Sequence, residues 1–204
     1  MEVYELHPVT PQKRFITKAV EALRDGQTVI FPTDTFYGMG CSIYSKSAIE
    51  RLIAIKGSGF DKLFSFIVPD LKDISTYARV SDYAYKKMKR LLPGPYTFIL
   101  PAAREVPKRL WSKRKTVGIR VPDHSIVIEL AQELGHPLVS TSTTNRKGDI
   151  LTRPDEIEAV LGYAVDVMLS AGYVSNKPSS VIDLSTDEPV VIREGAGDVS
   201  IFCE

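Results

Sequence analysis

Cysteine is nearly absent from this 204-residue chain: Cys41 and Cys203 are the only two, which excludes a disulfide framework and suits a reducing compartment. Histidine occurs three times, at His7, His124 and His136, and none has a second His or a Cys at metal-ligand spacing, so no zinc motif is present. Apolar runs fall well short of the ~20 residues that a membrane span needs. The N-terminal MEVYELHPVT has neither a basic n-region nor an apolar h-region, so no signal peptide is expected. There is no G-x-x-x-x-G-K-[ST] loop and no G-x-G-x-x-G after a strand. Lys56-Gly-Ser-Gly59 has its lysine ahead of the glycines and lacks the hydroxyl neighbour of a phosphate loop. Repeats, low-complexity stretches and Gly/Ser linkers are also missing. A single domain over residues 1–204 is expected, cytoplasmic and without membrane contact.

What is there is ordinary globular material, 44% hydrophobic and 25% charged, in a chain long enough to bury a core without a staple. Short β-type runs alternate with helical ones. Thr10 and Pro11 read as N-cap and first residue of a helix with Phe15, Ile16, Ala19, Val20 and Leu23 on one face, ended by Gly26. Strands are expected at 28–31, 64–68, 96–100, 116–121, 138–141, 165–169, 181–184 and 190–193. Further helices are expected after Ser45 or Ser47, from Ser81 to Leu92, from Ser125 to Leu134 with Gly135 closing it, and from Pro154 to Leu161. This alternation predicts an α/β fold, of α+β type, with a twisted mixed sheet and flanking helices.

Charge is nearly balanced in total, 26 Lys plus Arg against 25 Asp plus Glu, but not in distribution. Residues 86–120 hold eleven basic residues and one acid, Glu105, whereas 149–204 carry a net charge of −8. A basic block favours anionic ligands, and Lys86, Lys87, Lys113, Arg114 and Lys115 are its candidates for contact with a structured RNA backbone. A solvated helix and loop is the alternative.

Four polar segments stand at strand ends, where an α/β fold places its ligand crevice. Pro32-Thr-Asp-Thr-Phe-Tyr-Gly38 offers hydroxyls, a carboxylate and close backbone approach, or else a turn with Asp34 bonded to its own backbone. Lys56 lies just past a helix and suits a phosphate or plain solvent. Arg120, within Gly118-Ile-Arg-Val-Pro122, is costly to bury alone, so it is either paired structurally or waiting for a carboxylate or phosphate. Ser140-Thr-Ser-Thr-Thr-Asn145 could satisfy ligand hydroxyls or cap the next helix. Cys41 could serve a Cys/His hydrolase, though a small buried thiol is the more frequent reading.

Taken in order, these segments resemble the YrdC family, the threonylcarbamoyl-AMP synthases. Pro32–Gly38 is similar to its P-T-[DE]-T-x-Y-G segment, Leu92–Leu100 to P-G-P-x-T, and Val117–His124 to R-x-P-x-H. Pro178–Asp183 is similar to S-T-[VI]-x-D, and Val191–Gly195 to the final R-x-G; the resemblance covers some 160 residues, within 28–195. It implies a YrdC/RibB-like fold and a nucleotidyltransferase that condenses L-threonine, bicarbonate and ATP, with Mg²⁺ carried by the ATP and no protein-bound metal. Matched positions imply catalytic roles for Lys56 and Arg120. They place threonine against Thr35, Arg120, Ser140 and Ser179, and nucleotide against Lys56, Ser58, Thr116, Ser142, Thr144 and Arg193. The adenylate would pass to a downstream transferase complex acting on tRNA. The chain stops at Glu204, so the extra C-terminal domain of longer members is expected to be absent.

Several positions depart from the pattern. The lysine-x-arginine signature reads Lys56-Gly-Ser58, Asp61 and Lys62 stand where an asparagine is usual, a histidine position falls near Ile67, and Ser-x-Asn reads Ser142-Thr-Thr144 unless Asn145 takes the asparagine's role. These losses resemble the YciO branch. Three functions follow: the same synthase, an RNA-binding paralogue with weakened catalysis, or the same adenylating chemistry on another amine.

Overall fold

The computed structural model describes residues 1–57 and 64–202, so the readings at Ser58, Asp61, Lys62 and Cys203 lie outside the described residues. Helix α1 (Lys13–Arg24) buries Ile16, Ala19, Val20 and Leu23, the face expected from their spacing. It begins at Lys13, with Gln12 as N-cap, and not at Thr10 and Pro11. The Thr10 hydroxyl is already engaged with His7 Nδ1 at 3.0 Å, which also accepts the Thr10 N–H, so it cannot cap the helix. Ser45 caps α2 (Lys46–Lys56) and Ser81 caps α3 (Asp82–Leu91), each accepting the third N–H beyond it. Gly135, left-handed at φ +79°, closes α4 (Ser125–Leu134), and Pro154 opens α5 (Pro154–Leu161).

Among the described residues ten strands join in one mixed sheet: β1 (Glu2–Glu5), β2 (Val29–Phe31), β3 (Gly38–Ser42), β4 (Ser65–Ile67), β5 (Tyr96–Pro101), β6 (Thr116–Arg120), β7 (Leu138–Ser142), β8 (Val167–Ser170), β9 (Ser180–Asp183) and β10 (Val190–Arg193). Their spatial order is β1-β8-β2-β3-β7-β4-β6-β5-β9-β10. Sequence reading missed two of them. β1 is an exposed edge that shows no alternation and exists by pairing parallel to β8. β3, Gly-Met-Gly-Cys-Ser, looks like a loop by composition. Its glycines are required because a Cβ on Gly38 would stand 2.8 Å from the Phe31 ring, and one on Gly40 would stand 2.6 Å from the Val139 carbonyl.

The two faces of the sheet carry different cores, as the period of two requires. Ile30, Met39, Phe66, Phe98, Ile119, Val139, Met168 and Ile182 point to one face, covered by residues of α2, α3 and α5. Val29, Phe31, Ile67, Leu138, Val167 and Leu169 point to the other, where α1 packs against α4. Truncating a fully buried leucine such as Leu23 in this second cluster to alanine would destabilise by ~2–5 kcal/mol. That second core draws no residue from β5, β6 or β9. On this half of the face the strands present Thr97, Gly118, Arg120 and Val181 instead, and a cavity opens there. Among the described residues no helix is long and apolar enough to cross a membrane.

Candidate functional site

The cavity measures about 330 Å³. Its floor follows from strand register: Ser65 of β4 stands opposite both Gly118 of β6 and Ser140 of β7. A row of small side chains therefore crosses three adjacent strands, leaving a depression where larger residues would fill the face. Ser65 and Ser140 hydroxyls lie 3.1 Å apart, and those of Thr97 and Ser179 lie 2.9 Å apart. Phe36, Phe64 and Ile150 add apolar wall.

Three cations line this space, Lys56, Arg120 and Arg193, and no carboxylate does among the described residues. Arg120 ends β6 and is only 7% exposed. Its Nη2 donates to Asp34 Oδ1 at 3.1 Å and to Thr35 Oγ1 at 3.0 Å, while its Nε and Asp34 Oδ2 have no partner among the described residues. Burial pulls the Arg120 pKa down, the Asp34 carboxylate pushes it back, and nearby Arg193 lowers it further. Arg193 forks through Nε and Nη2 onto the Ser179 carbonyl at 3.0 and 2.9 Å, and burial lowers its pKa too. Lys56 Nζ lies 5.1 Å from the Phe64 ring centre and is likewise lowered by burial. All three cations are held part-way out of water, a state that a bound anion would relieve.

Of the residues singled out by sequence, Lys56, Arg120, Ser140, Ser142, Thr144, Ser179 and Arg193 line the one cavity. Thr35 stands behind it, fully buried, holding Arg120. Thr116 lies outside the lining, two residues before Gly118 on the same face of β6, with its hydroxyl on Ser112 at 2.7 Å. Asp34 bonds to Arg120 and not to its own backbone, which decides that alternative. The Ser140–Asn145 tract caps no helix: α5 starts at Pro154 behind Arg153, and Thr143 donates to the Tyr37 and Leu151 carbonyls.

Ser65 and Thr97 were missed, although each is a polar residue on the alternating face of an otherwise apolar strand and was legible as such. Phe36, Gly148 and Ile150 left no comparable signal. Cys41 sits inside β3, buried, with its thiol pushed up to about 12 by desolvation, which removes it as a nucleophile. In the basic block, Lys86, Lys113 and Lys115 are exposed. Lys87 instead donates to the Ile201 carbonyl and lies over the Phe202 ring, and Arg114 pairs with buried Asp183 at 3.1 Å. Part of that block is thus held by the chain itself.

Comparison with known proteins agrees with this fold. The family described as "Telomere recombination" (Sua5_yciO_yrdC) matches residues 21–195. YciO of Escherichia coli (strain K12) is 42% identical over 98% of each chain, and the crystal structure of E. coli YciO superposes with a TM-score of 0.94 over 99% of this chain and 100% of that one. A threonylcarbamoyl-AMP synthase of Vibrio vulnificus (strain YJ016) is 31% identical over 88% of this chain and 98% of its own. P. abyssi Sua5 complexed with L-threonine superposes with a TM-score of 0.89 at 25% identity, over 96% of this chain and 58% of that one. With a family match across most of its length and relatives this similar over nearly all of it, the chain belongs to the Sua5/YciO/YrdC family.

Proposed function

We propose that the cavity binds L-threonine and ATP side by side and forms threonylcarbamoyl-AMP. The observation that carries this reading is the lining itself: three partly desolvated cations and facing hydroxyl pairs, with no carboxylate among the described lining residues. Such a site suits the carbamate formed from threonine and the phosphates of ATP, which are both anionic and repel each other in water. The relative from Vibrio vulnificus named for this reaction supports it, as does the threonine complex of P. abyssi Sua5.

The amine of threonine attacks the carbon of bicarbonate, and loss of water leaves a carbamate. A carbamate oxygen then attacks the α-phosphorus of ATP, the bond to the bridging oxygen breaks, and pyrophosphate leaves with its Mg²⁺. No covalent enzyme intermediate is needed, so the protein contributes alignment and charge neutralisation. Arg120, held by Asp34 and Thr35, keeps further donors for the threonine carboxylate. Ser140 and Ser179 hold the carbamate end, Lys56 and Arg193 meet the phosphates, and Ser142 and Thr144 contact the nucleotide.

The test is mass-detected chromatography of the protein incubated with ATP, Mg²⁺, bicarbonate and threonine, each omitted in turn. A threonylcarbamoyl-AMP peak that requires every component is expected. Pyrophosphate release driven by a different amino acid would reassign the substrate, and no adenylate with any amino acid would overturn the reading.

A further inference from the structure

Beside the cavity, the chain between Thr144 and Ile150 turns back on itself. These two residues form an antiparallel bridge, Asn145 N–H donates to the Asp149 carbonyl at 2.9 Å, and Gly148 N–H donates to the Asn145 carbonyl at 3.0 Å. The Asn145 side chain fixes the turn from inside. Its Oδ1 accepts the N–H groups of Lys147 and Asp149 at 2.8 and 3.0 Å, and its Nδ2 donates to Asp149 Oδ2 at 2.9 Å. Gly148 takes φ +92°, a left-handed conformation that glycine adopts without strain. Thr144, Gly148 and Ile150 all line the cavity, so this hairpin forms part of its wall.

At the hairpin tip stand Arg146 and Lys147. Both are exposed, and neither belongs to an ion pair among the described residues. Lys147 is bonded to the lining residue Gly148, whose Cα is ~3.8 Å away. The hairpin's one acid, Asp149, has an oxygen engaged by Asn145, and the tip is otherwise cationic. Inside the cavity, by contrast, Arg120 and Arg193 have part of their guanidinium donors committed to Asp34, Thr35 and Ser179. The chain also carries a serine at position 58, where the lysine-x-arginine signature would supply another cation.

We propose that Arg146 and Lys147 bind the β- and γ-phosphates of the nucleotide at the cavity mouth and make the site selective for a triphosphate over a monophosphate. This rests on the nucleotide reading above and adds two binding residues to it. The backbone of the turn is already fixed, so only the two side chains remain to be ordered on a polyphosphate, and the α-phosphate and nucleoside are left to the residues that line the cavity.

Calorimetric titration with ATP, AMP and pyrophosphate, each with Mg²⁺, tests it on the intact chain and on the R146Q/K147Q and R146E/K147E variants. The neutral double variant is expected to weaken ATP and pyrophosphate binding by a factor of roughly 10–100 and to leave AMP within about twofold, with a larger loss on charge reversal. Both residues are exposed, so the unfolding midpoint should not move. Unchanged ATP affinity, or equal weakening of ATP and AMP, would overturn the inference while leaving the adenylate reading intact. A wild-type chain that binds no nucleotide at all would instead overturn the proposed function, and this inference with it.

Discussion

Arg120 and Asp34, 86 residues apart in the chain, form a buried ion pair at 3.1 Å on the edge of the cavity. Each keeps one buried polar atom without a partner among the described residues, Nε on the arginine and Oδ2 on the aspartate. The described residues thus leave the pair incompletely satisfied. It ties the turn after β2 to the end of β6, and so couples the position of Thr35 to that of the guanidinium.

Breaking this pair from one side should be severe. Asp34→Ala leaves a guanidinium buried without its carboxylate, and a loss of ~3–5 kcal/mol is expected. The D34L/R120M double variant should recover much of that stability while losing threonine binding. Urea unfolding of wild type, D34A, D34L, R120M and the D34L/R120M double variant completes the cycle. Equal losses in D34A and the double variant would show that the pair's charge is not the cause.

Arg193 serves through its shape as well as its charge. Its fork holds the Ser179 carbonyl, which places the Ser179 hydroxyl beside Thr97. Arg193→Lys keeps the cation but loses the planar double contact. ATP affinity is expected to fall about tenfold in R193K and further in R193A, since each charge-assisted hydrogen bond contributes ~1.5–3 kcal/mol. Titration calorimetry reads both. An R193K variant equal to wild type would reduce the fork to a point charge.

Gly118 keeps the floor low. A Cβ there would come 3.1 Å from Thr97 Cγ2, and the space beyond it is the cavity. Gly118→Val should cost ~1–3 kcal/mol through overpacking and abolish detectable binding of either substrate, because the added methyl groups fill the site. Thermal unfolding and calorimetry on one sample separate the two effects. Retained binding would place the ligand elsewhere.

Stability should fall on mild acidification. Burial lowers the pKa of His124, partly opposed by Asp34 and Asp123, and burial lowers that of His136, opposed by the Pro137 carbonyl and reinforced by Arg24. Below the ordinary histidine value of ~6.5 the unfolded chain takes up protons that the folded chain resists. The contribution is therefore complete above that value and lost as pH drops through it towards the folded pKa. Urea midpoints measured from about pH 7.5 to about pH 5.5 should decrease, and His124→Gln should flatten part of the slope. A midpoint that rises on acidification would reverse the assignment.

Periodicity and punctuation alone were enough for most of the fold. The spacing of Ile16, Ala19, Val20 and Leu23 gives a helix face wherever the helix docks, and Gly135 can only end α4. Local chemistry also flagged Arg120, because a guanidinium inside an apolar strand needs a partner whatever the fold. Ordered motifs then pointed to the family and to seven of the residues that line the cavity. Which partner Arg120 takes was decided by tertiary structure, since Asp34 is near it only once β2 and β6 share a sheet. The same holds for β1 and β3, whose pairing with β8 and β2 outweighs their weak local signals. The cavity itself arises from register, with Ser65, Gly118 and Ser140 brought level on three strands far apart in sequence. Part of its wall depends on a hairpin that Asn145 folds beside them. Side-chain type and spacing act along the chain, but a site needs proximity across it, and only the long-range pairing of strands supplies that.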